Sequence, residues 1–279
     1  KNAPKKIECF LLFSTYVRGC ERMNKYWADR QKAAQDALTD KSIKDVEKQM
    51  VKYYERTMKN VITEFEATYL HILNAAADGR EPTPADLYKL DRYWEMQGRL
   101  RDELQVLGDK QIHLLSNKFE KHFFSIYDSI AIKSAKAFST ISTEAAKQLI
   151  NTIWVADGKT WSQRVWDNIK LLTETLTEEL VSCVVSGKPT RELKEKLMER
   201  FGVSYSQANA IARTEIAHIQ TQAARQRYQD YGIKEVMVWA DKDERRCKVC
   251  GKLHTKKYPV GAVMPVPVHP NCRCCIVPV

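Results

Sequence analysis

Between residues 47 and 73 the apolar side chains Met50, Tyr54, Met58, Val61, Phe65 and Ile72 recur in steps of three, four and seven. That spacing gathers them on one face of a helix; a strand, which repeats every two residues, would scatter them over both of its faces. A second stripe of the same kind follows at Ile112, Leu115, Phe119, Phe123, Ile126 and Ile130. Between the two, DGREPTPAD at 78–86 reads as a loop. There Thr83 caps a new helix, Pro84 takes its first position, and Asp86 lies in its first turn. That helix carries Leu87, Leu90, Trp94, Leu104 and Leu107, and Gly108 is expected to break it. Core packing is the expected role of every aromatic on these stripes. Residues 1–145 are therefore expected to form a long helical arm or antiparallel bundle.

A second helical set follows. Thr160-Trp-Ser-Gln163 and Ser204-Tyr-Ser-Gln207 both have the form of a capping box. Gly187, Lys188 and Pro189 divide two helices, Gly202 is expected to end the second, and a further helix opening at Ser204 should stop at Gly232. The texture then changes: IKEVMVWA at 233–240 is β-branched and aromatic, which predicts a strand. The fold class expected is mainly α, with a long helical N-terminal region and a C-terminal α+β domain that ends in a small zinc-stapled β tip. The expected division is 1–145 and 146–279, with helices over 146–232 and the strand and zinc tip over 233–279.

The tip holds most of the sulfur. Of eight cysteines in 279 residues, five lie at 247, 250, 272, 274 and 275. A secreted disulfide scaffold spreads its cysteines along a short chain, whereas clustered cysteines without an export signal point to a reducing compartment and to metal. Cys247-Lys-Val-Cys250 sets two thiols on one tight turn, and His269-Pro-Asn-Cys272 offers an imidazole and a thiol at a similar spacing. Two such pairs can surround Zn²⁺ tetrahedrally. The stretch between them contains Gly251, Pro259, Gly261, Pro265 and Pro267 and little apolar body, so a metal would supply its folding free energy. Cys272 and Cys274 share a face if the segment is extended, so Cys274 is an alternative fourth ligand. His254 is a weaker candidate, and Cys275 faces the other way as a small buried hydrophobe. The competing reading makes these cysteines plain core residues or a disulfide. Four ligands in two knuckles look closed, and no Glu neighbours His269 as a zinc deaminase would need, so the zinc is expected to be structural. Just upstream, Asp243-Glu-Arg245-Arg246 offers an arginine to cap carbonyls or pair with a carboxylate inside the tip, or else to contact nucleic acid.

Charge is unevenly placed. The chain is +10 overall; residues 201–279 hold 12 Lys and Arg against 6 Asp and Glu, residues 1–50 hold 11 against 7, and the middle balances. Basic ends suit a polyanionic partner or a solvated surface equally well. No apolar run approaches the roughly 18–20 residues of a membrane helix, so no membrane span is expected.

Taken in order, Trp161-Ser-x-Arg164-x-Trp166, Ala212-Arg-Thr-Glu215, the strand ending near Trp239, Asp243-Glu-Arg245, Cys247-x-x-Cys250 and His269-Pro-Asn-Cys272-Arg-Cys274 resemble the C-terminal domain of the phage Mu F-like minor head proteins, the head morphogenesis family of tailed phages. The resemblance covers roughly 150–279. It implies a structural virion protein rather than an enzyme, held in the capsid interior or at the portal vertex and present in the host cytoplasm during assembly. It implies the portal protein and the major capsid or scaffold protein as partners, with contact to packaged DNA, and a role in head assembly and DNA delivery. Arg213 and Glu215 stand two apart on a helix and so cannot share a face; with Asp243 and Arg245 they are expected to form a hydrogen-bonded network tying that helix to the zinc tip. An Arg-Thr-Glu run also invites an ADP-ribosyltransferase reading, but those enzymes draw the three residues from separate strands. Two further alternatives are a zinc-stabilised nucleic-acid-binding module and a zinc-dependent nuclease.

Overall fold

The computed structural model describes residues 8–75, 91–130, 140–241, 246–269 and 271–279, with the side chains of all of these except 8–24, 72–75 and 92. Helices dominate: α1 (Glu8–Ala75), α2 (Asp91–Ser129), α3 (Thr143–Ile150), α4 (Trp161–Val185), α5 (Thr190–Asp230) and the short α6 (Lys248–Leu253). Strands β1 (Glu235–Trp239), β2 (Lys257–Pro259) and β3 (Cys275–Pro278) make one antiparallel sheet in the order β2-β1-β3. A mainly α chain with a small C-terminal sheet is what the sequence predicted. The described chain forms two compact units, each assembled from separated stretches: 1–41, 121–146 and 216–279 make one, and 42–120 with 147–215 make the other.

The second of these units is built on four helical stretches, from α1, α2, α4 and α5. Both stripes seen in the sequence contribute to buried faces: Met50, Tyr54, Val61 and Phe65 on α1, and Leu115 and Phe119 on α2. Polar ties between helices fix the register of that packing. Tyr54 Oη lies 3.1 Å from Ser204 Oγ, and Asn168 Nδ2 donates to the Ser204 carbonyl at 2.9 Å, so α1, α4 and α5 meet at one buried point. Tyr69 donates to the Lys188 carbonyl beside the turn between α4 and α5. In that turn Gly187 sits at φ 59°, a conformation open to glycine without strain.

Several sequence expectations change here. The Thr160 capping box is present: its hydroxyl accepts from the Gln163 backbone N–H and the Gln163 side chain reaches back. The Ser204 box is not, because α5 runs without a break through Gly202 and Ser204. Phe201 and Ala208 are buried on either side, and Ser204 spends its hydroxyl on Tyr54 instead of on a helix start. A glycine inside a helix costs about 0.5–1 kcal/mol relative to alanine, which contacts of this kind outweigh. Gly108 likewise fails to break α2: the indole of Trp166 lies where a side chain would stand, so this glycine serves close packing. Trp94, expected in the core, is 54% exposed, while its neighbours Tyr93 and Met96 are buried. The Thr83 and Pro84 helix start, with Leu87 and Leu90, lies outside the described residues.

The other unit holds the sheet. Val236 and Val238 point to one face of β1 and are buried. Met237 and Trp239 point to the opposite face, where Ala28 of α1 packs with Trp239, Cys275 and Val277. Both faces of this short strand are covered, which is why it reads as a nearly continuous β-branched and aromatic run. Gly232 at φ 73° turns the chain out of α5 and into β1, as its position after the helix suggests.

Candidate metal centre

Two turns and a sheet edge gather the sulfur. Cys247 caps α6: it is extended, at φ −67° and ψ 159°, and its thiol accepts the Cys250 backbone N–H at 3.2 Å. The second knuckle closes on itself, since the Cys272 N–H donates to the His269 carbonyl at 3.1 Å. Asn271 takes the left-handed conformation between them, at φ 61°, which Asn tolerates better than most residues. β3 begins at Cys275, so its pairing with β1 fixes the run Cys272–Cys274 just before it.

Donor atoms from both turns converge. Cys247, Cys250 and His269 form one trio of ligand atoms within 4.8 Å of one another, and Cys250, Cys272 and Cys274 form another. Cys250 belongs to both. Its Sγ lies 3.8 Å from Cys272 Sγ and 3.4 Å from His269 Nε2. Bond lengths of about 2.3 Å to sulfur and about 2.0–2.1 Å to nitrogen give tetrahedral edges of about 3.8 Å for S–S and about 3.6 Å for S–N. The spacing and the soft donor set therefore fit a four-coordinate ion such as Zn²⁺, and the cluster could hold one. Five donors surround it, with Cys272 and Cys274 both near the fourth position. Cys275 is wholly buried in the Trp239 cluster and takes no part. His254 is committed elsewhere: its Nδ1 accepts the Ala240 N–H at 3.2 Å and its ring meets Trp239 edge-on.

The thiols are electrostatically unequal. A hydrogen bond from the Cys274 thiol draws Cys272 down to about 5, and the Cys250 N–H draws Cys247 down to about 7. Burial pushes Cys250 up to about 12, and donation to Cys272 pushes Cys274 up as well. Crowded thiols of this kind share protons until a cation replaces them, which is the usual coupling between metal binding and proton release.

What fastens the tip was not foreseen. Lys32 of α1, only 7% exposed, donates to the Arg273 carbonyl at 2.7 Å and lies 3.1 Å from Asp241 and 2.9 Å from Asp36. Arg273 reaches the same Asp241 at 3.3 Å. Trp239 Nε1 donates to Asp29 at 2.9 Å, and Tyr228 Oη, which accepts from Gln31, donates to the Ile276 carbonyl at 3.2 Å. Four α1 residues, Ala28, Asp29, Gln31 and Lys32, thus fix the sheet that carries the cysteines. The only signal in the sequence was the i,i+4 pair of Lys32 and Asp36, which any exposed helix can show.

The hydrogen bonds expected to run from Arg213 and Glu215 to the tip are directed elsewhere. Arg213 donates through Nε to Glu47 at 2.9 Å. Glu215, 1% exposed, accepts from Arg164 at 2.6 Å and Trp154 at 3.1 Å. Burial pushes its carboxyl up, and those two donors offset part of the rise. A carboxylate so enclosed orders α4 and α5 and presents nothing to a substrate. Asp243 and Arg245 lie outside the described residues.

Residues 174–277 match the family model described as Phage Mu protein F like protein. Over these 104 of its 279 residues the chain is similar to that family. The matched segment opens inside α4 and ends in β3, so it takes in all five clustered donors, whereas Trp161, Arg164 and Trp166 precede it. No curated protein and no solved structure matches the chain. The F-like family is one of phage head morphogenesis, which agrees with a virion-associated structural role. Among the described residues no helix is long and apolar enough to cross a membrane.

Proposed function

We propose that the chain is a minor head protein of a tailed phage, acting in head assembly near the portal and in packaging or delivery of the DNA. The match of residues 174–277 to the F-like family carries this reading. The partners proposed are the portal protein and the major capsid or scaffold protein, with the chain in the capsid interior or at the portal vertex. A structural Zn²⁺ held by Cys247, Cys250, His269 and Cys272, with Cys274 as the alternative fourth ligand, holds the tip in shape. Its role is to order a segment rich in Gly and Pro; a closed donor set leaves no position for an activated water. The committed partners of Arg213 and Glu215 favour assembly over the transferase reading. Cross-linking in intact particles followed by peptide mass spectrometry tests the proposal. Links from this chain to the portal protein are expected, and absence of the chain from DNA-filled heads would overturn it.

A further inference from the structure

From Arg245 to Val279 the last 35 residues contain seven Lys and Arg and not one Asp or Glu. Arg246, Lys248, Lys252, Lys256 and Lys257 are exposed. Lys248 and Lys252 stand one turn apart on α6 and share a face. Arg246 Nε lies 3.5 Å from where a Cβ on Gly251 would stand, which sets its guanidinium against the same short helix. Lys256 follows at once, its N–H bonded to the Leu253 carbonyl at 3.0 Å. Among the described residues none of these five cations has an ion pair, and no carboxylate of the segment itself stands near to supply one.

Five exposed cations crowded on one small module repel each other, and a dense line of negative charge relieves that repulsion. Duplex DNA supplies one charge per roughly 1.7 Å of its axis. No Phe, Tyr or Trp stands between 246 and 257 to stack on unpaired bases, which favours the duplex backbone over a single strand. We propose that this cationic rim of the tip binds the phosphate backbone of duplex DNA without regard to sequence. The inference rests on the head-protein reading for where the DNA is met, but it is measured apart from it. Absence from virions would sink that reading alone, and a flat salt response would sink this one alone.

The test uses the full chain loaded with Zn²⁺ and a fluorescent duplex, titrated at salt concentrations from about 50 to 200 mM. With about 0.9 of slope per phosphate contact, five contacts predict a log–log slope of about −4.5 and a several-hundred-fold loss of affinity over that range. The triple variant Lys248→Gln, Lys252→Gln, Lys256→Gln should shrink the slope to about −1.8 with its unfolding transition unchanged. The charge-retaining triple variant to Arg should keep the full slope and covers the case in which the Gln triple does not fold. Lys52→Gln with Lys59→Gln, exposed on α1, should change nothing. A wild-type slope near zero, a Gln triple that folds and keeps the full slope, or tighter binding to poly-glutamate or to phosphatidylserine vesicles than to the duplex would each overturn the proposal.

Discussion

Lys32 on the first helix and Asp241 just after β1 meet at 3.1 Å, with the Arg273 carbonyl 2.7 Å from the same ammonium. The metal turns and the long N-terminal helix are thus mechanically joined: a side chain far upstream fixes both the exit of β1 and the segment that carries Cys272 and Cys274. Replacing Lys32 with Met leaves Asp36, Asp241 and a carbonyl short of a donor. Because these carboxylates keep partial contact with water, the cost should be about 2 kcal/mol, below the range for a fully buried pair. Urea unfolding measures it, and hydrogen exchange should show faster opening at 235–239 and 275–278.

Cys250 is the donor common to both trios. Cys250→Ser should abolish stoichiometric zinc, where the wild-type chain is expected to hold about one ion per chain. The variant should also expose residues 240–279 to protease while the unit built from 42–120 and 147–215 resists. A chelator should reproduce that digestion pattern in the wild type. Equal zinc content in the two proteins by elemental analysis would show that the thiols do not hold a metal.

His122 is buried on α2, and burial lowers its pKa to about 4. The unfolded side chain titrates near 6.5, so the unfolded state takes up the proton first as pH falls. This residue's contribution is full above about pH 6.5, declines between about 6.5 and 4, and amounts to about 3 kcal/mol lost by pH 4. His122→Leu should flatten that part of the profile, which unfolding midpoints of both proteins across the window would reveal. Parallel profiles would refute the assignment.

Gly108→Ala tests whether tertiary contact overrides helix preference. On an exposed helix the change stabilises by about 1 kcal/mol. Here the new methyl meets the Trp166 ring, and overpacking of that kind costs about 1–3 kcal/mol. A net loss of stability is expected, and pairing the change with Trp166→Leu should recover part of it. A stabilised single variant would show that the indole moves aside freely.

The sequence by itself determined the helical stripes of α1 and α2, the Thr160 cap, the stops at Gly187 and Gly232, the strand before the tip, and the crowding of one His and four Cys near the C-terminus. Each of these is a local signal: a periodicity, a cap, a φ only glycine adopts freely, or a spacing of two within a turn. Tertiary structure decided the rest. Gly202 and Gly108 lie inside helices because Phe201 and Ala208 in one case, and Trp166 in the other, make contacts worth more than the helix penalty. Arg213 and Glu215 turn to Glu47, Arg164 and Trp154. The clasp of Asp29, Lys32, Asp241 and Arg273 joins residues that share no spacing rule. Helix and turn signals operate over a few residues, where the backbone geometry is fixed. The choice of partner for a long polar side chain depends on which surfaces meet, and no local pattern records that.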